Sequence, residues 1–285
     1  MINWAEIANQ FLYIEDEPLL FHHGFFLFIF SIFLLAYSFA VKEKKWQHLI
    51  VILFSFYFYY KASGVFLLLL LLTVSADYGF SYLIEKQKVG TKKKVILFVS
   101  ILFSLSFLLY FKYKNFFLQN YGALTGQEFD LHTLILPIGI SFYTFQSISY
   151  LVDIYQGKVK RPPFYKYMMY MAFFPHLVAG PIVRAKDFLP QIYQKLNITK
   201  EEVNRALLLI IGGLLKKTVI SDYISINFVD RVFDAPSSYT AFENLMASYG
   251  YAIQIYCDFL LQNLLQINRI WVRLQICHIV LLDPH

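Results

Sequence analysis

The chain has 285 residues, of which 58% are hydrophobic and only 15% charged. Soluble domains carry about 25% charged residues, so this composition excludes an ordinary soluble protein and points to a membrane. The net charge of +6 accompanies long apolar runs, which assigns the excess cations to loops beside a bilayer and away from nucleic-acid binding.

The N-terminus, MINWAEIANQFLYIEDEP, holds Glu6, Glu15, Asp16 and Glu17 and no cation before the first apolar run, so it is not expected to be a signal peptide. Residues 19–41 predict a first span of about 23 residues, enough to cross ~30 Å of hydrocarbon. His22 and His23 fall at its outer end as interface histidines, and Lys42, Lys44 and Lys45 follow. Residues 47–60 and 62–84 are both apolar and touch at Lys61, which predicts a hairpin, or a short tilted segment and one full span. A basic loop comes next, with Lys86, Lys88, Lys92, Lys93 and Lys94. Residues 95–113 predict a span, 114–133 a loop with Lys114, Glu128 and Asp130, and 134–155 a further span that ends at Lys158, Lys160, Arg161 and Lys166. Residues 206–228 form a weaker span containing Lys216 and Lys217, which reach an interface or face a cavity. Residues 239–259 form the last.

One orientation satisfies the preference of cations for the inner side. The N-terminus and 114–133 lie outside; the loops 42–46, 85–94 and 156–166 and the basic stretch Arg184–Arg205 lie inside. Residues 167–183 sit between two inside loops and are too short to cross twice. They predict a re-entrant segment bent at Pro175 and Pro181, or a segment lying flat at the inner interface. The whole reads as an all-α, polytopic transmembrane bundle of seven or eight segments.

Chemistry concentrates in Leu136–Ile182, which reads LPIGISFYTFQSISYLVDIY, a basic link, then FFPHLVAGPI. It is apolar, yet it carries Gln146, Ser147, Ser149, Asp153 and His176, with Pro137, Pro175 and Pro181. Polar groups at membrane depth are expensive and commonly face a cavity. Gln146, Ser149 and Asp153 share one helical face, which suits cavity lining and helix–helix bonding equally. His176 could move a proton, bind a carbonyl oxygen, or serve as a satisfied structural histidine. Asp77, inside TVSADYGF, is expected to make a helix-packing hydrogen bond or to serve function. No P-loop, G-x-G-x-x-G or H-E-x-x-H is present. Cys257 and Cys277 lack metal-ligand spacing, and Cys257 reads as a small packing residue. No metal site is expected.

LPIGISFYTFQSISYLVDIY, FFPHLVAGPI, KKTVISDYI and YAIQIYCDF together resemble the membrane-bound O-acyltransferase superfamily, in its bacterial alginate O-acetyltransferase branch; the D-alanyl transferase of teichoic acid is a more distant relative. The resemblance runs from about residue 10 to Phe259 and rests on these blocks in order. It implies a helical bundle with a funnel, in a bacterial cytoplasmic membrane, moving an acyl group to hydroxyls of an extracytoplasmic polysaccharide such as alginate. It implies an acyl donor such as acetyl-CoA or an acyl carrier, with no bound cofactor, and a periplasmic or secreted partner protein. By the same resemblance His176, Gln146, Asp153, Gln254 and Asp258 line or support the funnel, while Pro175, Gly180 and Pro181 shape the re-entrant turn.

The family pattern continues past YCDF to a Trp-His-Gly motif that carries its catalytic histidine. Here Phe259 is followed by LLQNLLQINRIWVRLQICHIVLLDPH. His278 sits in QICHIV and does not match that motif. Residues 1–259 are therefore expected to be the N-terminal part of the transmembrane domain, and 260–285 an aberrant tail from a lost reading frame. On that expectation the chain lacks its own catalytic base and is inactive alone. Two other readings stay open: a transporter, since broken helices with midplane polar groups also mark transport, and a non-catalytic membrane fragment acting through partners.

Overall fold

In a computed structural model of the chain, residues 10–14, 19, 24–40, 44–127, 135–177 and 183–193 are described, together with 201, 204, 208, 211–213 and 215–266. No strand occurs among them. The chain divides into two compact units, Met1–Val178 with Ile182–Tyr193, and Ala179–Pro181 with Gln194–His285.

The first unit contains α1 (Gly24–Phe39), α2 (Lys44–Ser63), α3 (Phe66–Lys86), α4 (Thr91–Leu108), α5 (Lys114–Thr125), α6 (Ile140–Tyr155), α7 (Phe164–Met171), α8 (Phe174–Leu177) and α9 (Ala185–Tyr193). α6 packs against both α3 and α4. The reason is visible along α3, where Leu70, Thr73, Val74, Asp77, Ser81 and Ile84 are buried at three- and four-residue intervals. Leu68 and Leu72, between those positions, stay 70% and 52% exposed. A helix whose inner face is mixed and whose outer face is leucine suits lipid, because water would not tolerate so large an apolar exterior. Among the described residues, two helical runs are long and apolar enough to cross a membrane, Phe66–Lys86 and the 35-residue Thr91–Thr125.

Three boundaries differ from those expected from sequence. Lys61 is not the hinge between α2 and α3; the turn falls at Gly64, whose φ is +58°. Lys61 is instead buried inside α2, and its ammonium donates to the main-chain carbonyls of Gln10 (2.8 Å) and Leu12. A cation in an apolar helix thus finds oxygen acceptors in the segment laid across it. Second, the expected loop after residue 113 begins as helix. A π-helical turn, Leu109–Tyr113, links α4 to α5, which ends where Gly126 adopts φ +71° and its N–H bonds the Gly122 carbonyl (2.8 Å). No side chain of α5 is buried, so no packing pattern announces it. Third, α6 starts at Ile140, because Pro137 and a left-handed Gly139 (φ +75°) hold the preceding residues out of the helix.

In the second unit, two π-helical turns, Lys216–Ser221 and Ser225–Val229, flank α10 (Asp222–Ile224) and lead into α11 (Asp230–Asp234). Lys217 reaches the Asp222 carboxylate at 2.8 Å. A 3-10 turn precedes α12 (Ala241–Gln266), which is helical through Phe259 and seven residues beyond. Thr240 and Glu243 form a reciprocal capping box at its start, the Thr240 N–H donating to Glu243 Oε2 (2.7 Å) and the Glu243 N–H to Thr240 Oγ1 (3.3 Å). Gly250 lets α12 approach the second π-turn, where a Cβ would lie 2.9 Å from Val229. His22, His23, Gly180, Pro181, Cys277 and His278 lie outside the described residues.

Candidate functional site

The site is built by two interruptions of helix. α7 ends at Met171, and Ala172 and Phe173 separate it from α8. The last carbonyls of a helix have no partner within it. The Tyr170 carbonyl is one of these, and two side chains supply its donors: Gln146 Nε2 from α6 at 3.0 Å and His176 Nε2 from α8 at 2.9 Å. These two nitrogens lie 3.1 Å apart. A carbonyl only accepts, so His176 carries its proton on Nε2, and the short nitrogen–nitrogen contact is two donors converging on one oxygen. That tautomer leaves the lone pair on Nδ1, and Nδ1 is buried without a hydrogen-bond partner. The rings of Tyr170, Phe173 and Phe188 surround the imidazole at 6.4, 5.4 and 5.9 Å between centroids. His176 is 1% exposed.

The interruptions are themselves held by α2. The Phe174 N–H, freed where α8 begins, donates to Ser55 Oγ at 3.2 Å. Before α6, the Ile138 N–H donates to Ser63 Oγ (3.1 Å), and the Ile138 carbonyl accepts from the Tyr59 hydroxyl (3.0 Å). Ser55, Tyr59 and Ser63 are spaced by four and so stand on one face of α2. That face satisfies main-chain groups at both breaks, which is what irregular backbone in an apolar environment requires. Beyond α8, the Tyr170 hydroxyl donates to the Val183 carbonyl at 2.7 Å and ties the returning chain to α7.

A second polar cluster lies on α6 one residue further along. Ser147 Oγ donates to Asp77 Oδ2 (2.5 Å), and Ser104 Oγ is shared between Asp77 Oδ1 and the Ser100 carbonyl, both at 3.1 Å. Asp77 therefore joins α3, α4 and α6, the packing bond among its two expected roles. At the end of α6 facing the basic loops, Lys93 Nζ donates to the Tyr155 carbonyl (2.9 Å), and Arg161 binds Glu85 (2.9 Å) over the rings of Tyr78 and Tyr82. The Glu85 carboxylate pushes the Arg161 pKa above its ordinary value.

Of the five residues singled out from sequence, Gln146 and His176 meet. Asp153 is buried two turns along the same helix, with Oδ2 lacking a partner. Ser149, on the same stripe, is half-buried and enters neither cluster. Gln254 belongs to the second unit, on α12, with a buried Oε1 also lacking a partner. The side chain of Asp258 lies outside the described residues. Sequence reasoning passed over Ser55, Tyr59 and Ser63. Their spacing of four was the available signal, hidden because serine and tyrosine are unexceptional one at a time in an apolar helix.

No family model matches the chain. It is 33% identical over 210 residues to a peptidoglycan O-acetyltransferase of Helicobacter pylori, covering 64% of this chain and 40% of that protein. It is 33% identical over 168 residues to a probable alginate O-acetylase, AlgI, of Pseudomonas aeruginosa, covering 57% and 32%. It is 30% identical over 135 residues to a teichoic acid D-alanyltransferase of Bacillus subtilis, covering 45% and 33%. The matched stretch thus spans less than half the length of each relative.

Proposed function

We propose that this chain, a relative of the membrane-bound O-acyltransferases, forms part of an O-acyltransferase that places acetyl groups on hydroxyls of an extracytoplasmic polysaccharide. One observation carries the reading: similarity above chance to three proteins whose names differ in acyl group and in acceptor, but all describe acyl transfer to a cell-surface polymer. Acetyl is preferred because the two relatives with the longer matches are acetylating ones.

In such a transfer the acceptor oxygen bonds the acyl carbon, the bond to the donor's leaving group breaks, and the hydroxyl proton passes to a base, which the family resemblance places in a Trp-His-Gly motif outside the blocks matched here. His176 Nδ1 offers an acceptor for a hydroxyl hydrogen, fixed in its tautomer by the Tyr170 carbonyl and shielded by three rings. Exclusion of water favours transfer to the glycan over hydrolysis of the donor. Gln146 and Asp153 stand with it in the wall of the site. The donor is an activated acyl compound such as acetyl-CoA or an acyl carrier, approaching from the basic side. The setting is a bacterial cytoplasmic membrane crossed several times, and a periplasmic or secreted protein completes delivery to the polymer.

Ester-linked acetate on surface polysaccharide, compared between cells that carry the gene and cells that lack it, tests this function. Its loss with the gene is expected. Unchanged ester content would overturn the assignment, and altered glycan export with esters intact would put transport in its place.

A further inference from the structure

The basic loop before α7 and the first turns of α9 enclose a cleft of about 330 Å³, lined by Lys158, Lys160, Arg161 and Lys186 over a floor that includes Pro162 and Leu189. We propose that this cleft binds the phosphate group of a small phosphate ester. No carboxylate lines it. Lys158, Lys160 and Lys186 form no ion pair among the described residues, so their charge is available to a ligand. Arg161 is held in place by Glu85 and by the Tyr78 and Tyr82 rings, which makes it a fixed cation. Asp187, the nearest acid in sequence, is exposed on α9 and is not part of the lining.

Cations on a cytoplasmic loop would by themselves need no ligand, since the topology alone explains them. Three further observations separate this cleft from a merely solvated loop. The loop is fixed at both ends, by the Lys158 N–H on the Asp153 carbonyl (2.9 Å) and the Tyr78 hydroxyl on the Pro162 carbonyl (3.2 Å). The first two residues of the nine-residue α9, Ala185 and Lys186, are in the lining, so the N-terminal turn of that helix, the positive end of its dipole, borders the cleft. The volume falls at the lower end of the ~300–1,000 Å³ typical of small-molecule sites. That is larger than a bare phosphate needs, and the apolar floor suits the organic part of an ester. A soluble nucleotide-type ester and a lipid headgroup share this chemistry.

The test uses the purified full chain. Adenosine 3′,5′-bisphosphate is titrated against protein in neutral detergent, and phosphatidylglycerol retention is compared with phosphatidylcholine retention in nanodiscs. The same measurements are made on Lys160→Ala/Lys186→Ala and on Lys160→Arg/Lys186→Arg, with the melting temperature of each confirming the fold. One probe is expected to bind saturably, at least about tenfold more weakly to the alanine form and near parental strength to the arginine form. Binding of the bisphosphate identifies a soluble ester, and selective retention of phosphatidylglycerol a lipid headgroup. Saturable binding of neither probe, or equal binding by the alanine form and the parent, overturns the proposal. Neither readout depends on acyl transfer, so failure here leaves the proposed activity standing, and the reverse.

Discussion

His176 is decided by what its two ring nitrogens reach. Nε2 is committed to the Tyr170 carbonyl, and Nδ1 is buried with nothing bound to it. Nδ1 is therefore the atom that the proposed function assigns to the acceptor hydroxyl. Gln146 shares the same carbonyl, and Gln146→Leu should cost about 1 kcal/mol, the scale of hydrogen bonds between membrane helices, read as a lower unfolding midpoint in detergent. Gly64→Ala should cost more, about 1–3 kcal/mol, because φ there is +58° and the new Cβ would lie 2.7 Å from the Tyr13 ring. An unchanged midpoint would show that the turn relaxes freely. At this scale much of the site is legible in sequence. Glutamine, histidine and aspartate in apolar runs are costly, and Gln146, His176 and Asp77 all prove to be bonded and buried. The Tyr170 carbonyl is not legible, because every residue has one and only the end of α7 strips it of its helical partner.

The helices matter here chiefly through where they stop. Pro137 and Gly139 delay α6, α7 ends short of Pro175, and the groups released at both places fall on Ser55, Tyr59 and Ser63 of α2. Ser63→Ala should leave the Ile138 N–H unpaired and lower stability by about 1–3 kcal/mol, whereas Ser31→Ala, whose hydroxyl bonds only its own helix, should be nearly silent. Equal midpoints for the two would remove α2 from its role as support of the breaks. Element boundaries show what a sequence carries poorly. α5 buries no side chain, and the π-turns at 109–113, 216–221 and 225–229 leave no mark in composition. The start of α12 could have been read, since Thr240 and Glu243 have capping-box spacing.

At the scale of the whole chain, composition and loop charge carry the proposed topology. The apolar exteriors of α3 and α4 agree with a lipid setting, and the cations at 86–94 and 158–166 gather near the same end of α6 through Lys93 and Arg161. With Cys257 and Cys277 replaced by serine, cysteines introduced at Lys88 and Lys160 should react with an impermeant thiol reagent only when the inner face is open. One at Gln127 should react in intact cells. Labelling of all three from one side would refute the alternating orientation. The proposed function rests most heavily on His176 as a group that meets the acceptor. Its most direct test is ester acetate on surface polysaccharide in cells carrying His176→Ala, at membrane levels of the protein equal to the parent. A fall of about tenfold or more is expected for loss of a hydrogen bond made to a reacting hydroxyl. Undiminished acetylation at equal protein would return His176 to a structural part and contradict the site described.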